Sequence, residues 1–340
     1  MKVKWGVIGC GGIANRRTLP GMMSAENAEL VAVMDTNYEA AKACKEAYGA
    51  RFAFDKAEDL LALEEIQAVY IASPVFCHKE QAELTAKAKK HILLEKPMGL
   101  SVEEAKEIAT ICEKEGVKLG VAFMMRFHSY HQKMREIIAA GTLGEIVSAH
   151  AKFTCWYPEM ENCWRQDKAL SGGGAMLDMA IHSIDLIRYI TGLEIRESTG
   201  FIGNQVFRYR AEDAGVGVYK MENGALCVVE SAFNIPDEVS VGRLEIYGTK
   251  GSMVAEGTLS QEEGGSLEVL ALEQTGEYDA QQNRSTVAPI PVSVTFGNMY
   301  TKEIEAFGKA VLGEGNIPVT AEDAIRSQKA IEDIYGLENK

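Results

Sequence analysis

Along the first third of the chain, short runs of β-rich apolar residues alternate with segments of helical periodicity. Val3–Gly9 reads as a strand, followed by a helical stretch from Ile13 to about Ser24. Pro20 within that stretch predicts a kink or an early end, because its ring clashes with the preceding turn. Leu30–Asp35 is a second strand, and Tyr38–Tyr48 an alanine-rich helix that stops at Gly49. Ala68–Ala72 and His91–Glu95 are further apolar runs, separated by helices at Lys79–Lys89 and Ser101–Lys114. Lys118–Phe123 closes the series as a sixth strand. Ser101, with Glu103 and Glu104 after it, supplies a capping oxygen and first-turn acids, a strong helix start. Such alternation predicts an α/β, doubly wound domain with a parallel sheet, spanning residues 1–123.

The pattern changes after residue 123. One more helix, Tyr130–Ala140, ends at Gly141, and a strand follows at Ile146–Thr154. An irregular aromatic stretch around Trp156 and Trp164 leads into a long helical signal, Ala175–Thr191, opened by Gly172-Gly173-Gly174 and closed by Gly192. From about 195 to 295 the text is strand-like, with turn signals at Glu222-Asn223-Gly224 and Lys250-Gly251. Consecutive strands with few helices predict a mostly antiparallel sheet. Helices return at Tyr300–Leu312 and Ala321–Leu337, so residues 124–340 form a second, α+β domain.

Length agrees with two domains, since 340 residues exceed one ordinary core. The 35 basic and 49 acidic residues leave a net charge of −14, which argues against nucleic acid or an anionic membrane as partner. No apolar run approaches the ~18 residues of a membrane span, and no signal peptide is expected. Seven scattered cysteines read as reduced thiols of a cytoplasmic protein. Cys155 and Cys163 are the only close pair and lack metal-ligand spacing, so no metal site is expected.

Gly9-Cys10-Gly11-Gly12-Ile13-Ala14 fits the G-x-G-x-x-G/A pattern between a strand and a helix. Gly9 permits the tight turn, Gly11 lets backbone approach a pyrophosphate, and Ala14 allows close helix–strand packing. With Gly12 and Ile13, the loop offers free N–H groups at a helix start to the phosphates of a dinucleotide. Asp35 ends the second strand, roughly 20 residues beyond the loop, where a carboxylate accepts ribose hydroxyls and repels a 2′-phosphate. The next residues, Thr36-Asn37-Tyr38, bring no arginine, so NAD is favoured over NADP. The plainer alternative for Asp35 is a cap on the following turn.

Two groups are candidates for chemistry. Glu95-Lys96-Pro97 lies at the carboxyl end of a strand, where open parallel sheets bind ligands, and Lys96 there suits proton transfer or polarisation of a hydroxyl. A Lys96–Glu95 pair on a solvated loop is the competing reading. Asp178, His182 and Asp185 fall at spacings of four and three, which places them on one helical face, apart from Leu177, Ile181 and Ile184. Histidine titrates near neutral pH, so His182 can accept a hydroxyl proton while Asp178 orients it or binds substrate. A core histidine is the competing reading. Trp156, Tyr157, Trp164 and Phe233 form either an aromatic wall on which a substrate stacks or ordinary core.

Together these features resemble the family of glucose-fructose oxidoreductase and inositol dehydrogenase. The resemblance rests on the glycine loop, Ser73-Pro74 with His78, Glu95-Lys96-Pro97 before the Ser101 helix, Arg126, Trp164-Arg165, and Gly172-Gly173-Gly174 leading to Asp178 and His182. It runs over about residues 5–190. It implies a Rossmann domain followed by a domain with a large open sheet that mediates homodimers or homotetramers in relatives. It also implies hydride transfer between a nicotinamide and a sugar, glycoside or cyclic polyol, with Lys96, Asp178 and His182 around the reacting carbinol. Ser73, Pro74, His78, Glu95, Arg126 and Trp164 would border the cofactor, and Trp156 and Phe233 the substrate. Ala180 stands where relatives with Asp-x-Gly-x-His carry glycine. Two rivals stay open: a redox-assisted glycoside-cleaving enzyme that recycles its NAD, and a dinucleotide-binding regulator without catalysis.

Overall fold

In the computed structural model the described residues are 1–273, 280 and 287–337. They form two compact units: Met1–Phe127 with Met160–Gly174 and Asn298–Glu332, and His128–Glu159 with Ala175–Gly297 and the residues from Asp333 on.

The first unit is built on six parallel strands: β1 (Val3–Ile8), β2 (Ala28–Met34), β3 (Phe52–Phe54), β4 (Ala68–Ile71), β5 (His91–Glu95) and β6 (Leu119–Ala122). Their order is β3-β2-β1-β4-β5-β6, so the winding reverses between β1 and β4. The central strands β1, β4 and β5 are buried almost throughout because helices cover both faces. β3 and the helix Ala57–Leu61 had no signal in the pattern; a three-residue edge strand is too short to show a period. Pro20 does not end its helix. A π-turn at Ala14–Thr18 runs directly into Leu19–Ser24, and the wider turn gives the proline ring room. The helix Val102–Glu115 starts as its sequence predicts, with Ser101 Oγ accepting from Glu104 N at 3.1 Å.

The helix Met299–Val311 packs into this unit. Phe307 lies with its ring 5.7 Å from that of Trp5, and a Cβ at Gly120 would stand 2.7 Å from its edge. Gly120 is therefore a packing glycine, small so that an aromatic ring can lie against β6.

The second unit holds β7 (Ile146–Thr154), β8 (Ile195–Gly203), β9 (Ala214–Met221), β10 (Leu226–Ala232), β11 (Arg243–Gly248), β12 (Gly251–Glu256), β13 (Ser266–Ala271) and β14 (Ile290–Pro291). Their order is β14-β13-β12-β11-β7-β10-β9-β8, and every pairing is antiparallel except β7 with β10. Tight turns join β9 to β10 at Asn223-Gly224 and β11 to β12 at Thr249-Lys250, where the sequence signals turns. The helices Ser129–Ala139 and Ile181–Thr191 belong to this unit. The architecture is thus α/β, a doubly wound parallel sheet and a large, mostly antiparallel one.

All seven cysteines are free. Among the described residues no helix is long and apolar enough to cross a membrane, and no cluster of His, Cys, Asp or Glu is arranged to hold a metal ion.

Candidate active site

The first unit places its candidate residues at the switch point between β1 and β4. Gly9 closes β1 with φ at +95°, and its N–H donates to Met34 O at 2.8 Å. A Cβ there would lie 2.8 Å from both Ala72 C and Ser73 N, so only glycine allows the loop to pass the end of β4. At Gly11 a Cβ would meet nothing within 4 Å, which leaves the loop's outer face open to a ligand. Gly12 is covered instead by the Arg16 guanidinium, 3.3 Å from where its Cβ would be. Ile13 and Ala14 then enter the helix, with Ala14 fully buried against the sheet. Open backbone N–H groups at a helix start fit a pyrophosphate.

Asp35 performs two structural jobs as well. Its Oδ2 accepts from Cys10 N at 2.8 Å and its Oδ1 from Asn37 N at 2.9 Å. The carboxylate thus braces the glycine loop and caps the next turn. Each oxygen retains a second lone pair, and the side chain is only half-buried, so it can also accept a ribose hydroxyl.

The β4 and β5 ends are tied to each other through a buried ring. His78 places Nδ1 3.1 Å from Pro97 O and Nε2 3.0 Å from Ser73 O. Two carbonyls favour a doubly protonated ring, yet burial outweighs them and lowers the pKa from 6.5 to about 4. His78 is therefore neutral at physiological pH and donates to one carbonyl at a time. Ser73, Pro74, His78 and Pro97 are brought together, with Ser73 Oγ also on Gln81 Oε1 at 2.5 Å.

Glu95 is not on a solvated loop. It is 9% exposed, its Oε1 accepts from Tyr70 Oη at 2.5 Å, and its Oε2 accepts from Lys96 N at 3.2 Å. Burial raises its pKa, against the opposing pull of the Tyr70 hydroxyl and the Lys96 charge. Lys96 itself is half-buried. Arg165, whose guanidinium lies 4.3 Å from the Trp164 ring centroid, acts electrostatically on both Glu95 and His78. Trp164 meets Phe76 edge-on at 6.4 Å. Arg126 is 7% exposed and pairs with Asp323 at 3.4 Å, which anchors it at the end of β6.

The second unit carries the remaining sequence candidates on one helix. A π-turn at Met176–Ala180 leads into Ile181–Thr191, and Asp178 lies inside that π-turn. Asp178 is half-buried, whereas His182 and Asp185 are 4% and 1% exposed. The amphipathic division expected from sequence is absent: the helix is buried nearly all round, and its polar residues are interior ones. Single π-turns occur often at functional sites, and this one carries the half-buried Asp178.

What holds the start of this helix was invisible in the sequence. Glu212, just before β9, accepts from Met176 N at 3.1 Å and from Tyr335 Oη at 2.7 Å, while its backbone O accepts from Ala175 N. No spacing rule connects residues so far apart. The aromatic wall also divides. Phe233 is 1% exposed and packs on Ala175 and Met179, behind the helix. Trp156 is 42% exposed, its ring edge-on to Phe207 at 5.2 Å, and Phe207 stacks on Tyr209 at 5.5 Å. Phe207 and Tyr209 lacked a signal because the loop carrying them has no periodicity.

A doubly wound sheet with an open glycine loop at its switch point defines a dinucleotide-binding oxidoreductase fold. Residues 3–123 match the model of the oxidoreductase family with an NAD-binding Rossmann fold, and residues 131–254 that of the GFO/IDH/MocA C-terminal domain. The chain belongs to the Gfo/Idh/MocA oxidoreductase family. It is 26% identical over 325 residues to 1,5-anhydro-D-fructose reductase of Ensifer adhaerens, covering 95% of this chain and 92% of that one. It is 28% identical over 336 residues to D-xylose 1-dehydrogenase (NADP(+)) 2 of Haloferax volcanii, covering 97% and 96%. In fold it is similar to aldose-aldose oxidoreductase from Caulobacter crescentus, solved with glycerol: TM-score 0.89, 22% identity, 100% and 99% covered.

Proposed function

We propose that this protein is an NAD-dependent oxidoreductase that moves a hydride between a ring carbinol and the nicotinamide, the carbinol belonging to a sugar, sugar derivative, glycoside or cyclic polyol. The carrying observation is the switch-point cradle. Gly11 opens the loop beside Asp35, and the carbonyl-bound His78 links the β4 end to Pro97, next to Lys96. Gly9, Gly11, Gly12 and Ile13 would hold the pyrophosphate and Asp35 the ribose, with Ser73, Pro74, His78, Glu95, Arg126 and Trp164 shaping the rest. The nicotinamide, when bound, supplies the hydride acceptor.

The chain's own residues handle the proton and the orientation. Lys96 donates a hydrogen bond to the reacting hydroxyl oxygen, which stabilises the charge that develops as its proton leaves. His182 takes that proton at a ring nitrogen. Asp178 accepts hydroxyls of the substrate and fixes its pose. Trp156 offers a flat apolar face to the sugar, and Phe233 supports the helix from behind. The Asp35 carboxylate favours NAD over NADP, although the Haloferax relative is named for NADP(+). Seven free thiols support a cytoplasmic setting. Phe201, Val218 and Leu226, exposed on one sheet face, support a homodimer or homotetramer.

The test is a panel of free sugars, inositols and glycosides, supplied with NAD and separately with NADP. The proposal expects reduced NAD to accumulate with at least one sugar or polyol. Glycoside cleavage without accumulation would favour the cofactor-recycling reading. Dinucleotide binding without turnover on any substrate would favour a regulator.

A further inference from the structure

The first unit holds a buried acid that the proposed chemistry does not use. Glu303, on the helix Met299–Val311, is 1% exposed, and its Oε1 has no hydrogen-bond partner among the described residues. One turn earlier on the same helix, the hydroxyl of Tyr300, 3% exposed, is in the same situation. A connected chain of polar groups ends on Glu95, whose charge acts on both. Thr18 Oγ1, in the π-turn after the glycine loop, is 2.9 Å from Tyr70 Oη, which donates to Glu95, which in turn accepts from Lys96 N. Thr18 and Tyr70 are fully buried.

Two carboxyl groups in one dry cluster do not both ionise, because neither the interior nor the other charge stabilises the second anion. Glu95 has the better claim to the charge: a tyrosine hydroxyl, a backbone N–H, and the charges of Lys96 and Arg165 all favour it. Glu303 has none of these. Burial, then the Glu95 charge, drives its pKa well above the ordinary carboxyl value. Among the described residues, the Glu95 charge alone is a charge that acts on Glu303. Arg16 and Arg17 act on Tyr300, Lys302 donates to Phe127 O, and Arg126 is paired with Asp323.

We propose that Glu303 is a positioning residue that works only while protonated: as a neutral acid it leaves Glu95 free to carry the charge that fixes the backbone of Lys96. Once Glu303 ionises as pH rises, two like charges share the cluster. Glu95 is driven from the Tyr70 hydroxyl and the Lys96 N–H, and turnover falls as Lys96 loses its orientation. The inference rests on the functional reading given above for Lys96.

Infrared spectroscopy of the substrate-free protein tests it without any assay. A carbonyl band of a protonated, buried carboxylic acid should be present near neutral pH, absent in Glu303→Gln and retained in Glu95→Gln. Loss of the band in Glu95→Gln alone, or no such band in the wild type, overturns the proposal. In the wild type the band should disappear over the same pH range in which kcat/KM declines. In Glu303→Gln that decline should move upward by about one pH unit or more, since a purely structural glutamine would leave the profile unmoved. An unshifted decline in a folded variant also overturns it. Inactivity toward every sugar would contradict the functional reading instead, and the infrared result would stand apart from it.

Discussion

The two compact units hold their candidate groups by different means. In the first, the groups that shape the site are largely backbone: the Gly9–Gly12 turn, the Ser73 and Pro97 carbonyls on His78, and the Cys10 and Asn37 N–H groups on Asp35. In the second, the candidate groups are side chains on one buried helix, held at its start by Glu212. A cradle of backbone depends on conformation, so changing it damages fold and binding together. A row of side chains separates the two, and chemistry can be removed while the fold survives.

The largest effect should come from Gly9→Val. A β-branched residue at φ +95°, with its Cβ 2.8 Å from the backbone of Ala72 and Ser73, must displace the β4 end. We expect a loss of about 3 kcal/mol or more in thermal unfolding, together with loss of dinucleotide binding. A variant that melts normally and binds NAD would break the distinction at its base.

His78 sharpens it through pH. Its pKa is about 4 in the fold against an ordinary 6.5, so the unfolded chain binds more protons in between. Its share of stability is complete above 6.5 and is lost as pH falls toward 4, by at most about 3 kcal/mol. His78→Gln should be less stable than wild type near neutral pH, and the gap in Tm should narrow steadily on acidification. A constant gap would contradict the neutral buried ring.

Asp35→Ser tests a side chain that serves both purposes. We expect the NADP to NAD ratio of kcat/KM to rise about tenfold, one charge repulsion of roughly 1.4 kcal/mol. A small fall in Tm should accompany it, since Cys10 N–H and Asn37 N–H lose their acceptors. Trp156→Ala should do least. With 42% of the residue exposed, stability should change little, by about 1 kcal/mol at most, while KM for a sugar rises severalfold. An unchanged KM would remove Trp156 from the substrate face.

How much of this was legible depended on how local the signal is. The glycine loop, Asp35 and the strand–helix alternation are short-range patterns, and the parallel sheet follows from them. Helix starts at Ser101 and stops at Gly49 are equally local. β3 escaped because three edge residues carry no period. The π-turns at Ala14–Thr18 and Met176–Ala180 escaped because they change the pitch of a helix without changing its composition. The spacing of Asp178, His182 and Asp185 suggested a polar face; burial of the whole helix made two of them interior instead. Glu212 on Met176 N, Tyr70 on Glu95, and Glu303 in the same cluster are contacts between residues distant along the chain. Only the fold reveals them.

The central claim is that Lys96 makes a cofactor-binding protein into a dehydrogenase. The direct measurement is Lys96→Ala, purified, titrated with NAD and assayed on the best substrate of the sugar panel. The account predicts NAD affinity within a few-fold of wild type and turnover lowered by about a thousandfold or more. Near-normal turnover with intact NAD binding would contradict it.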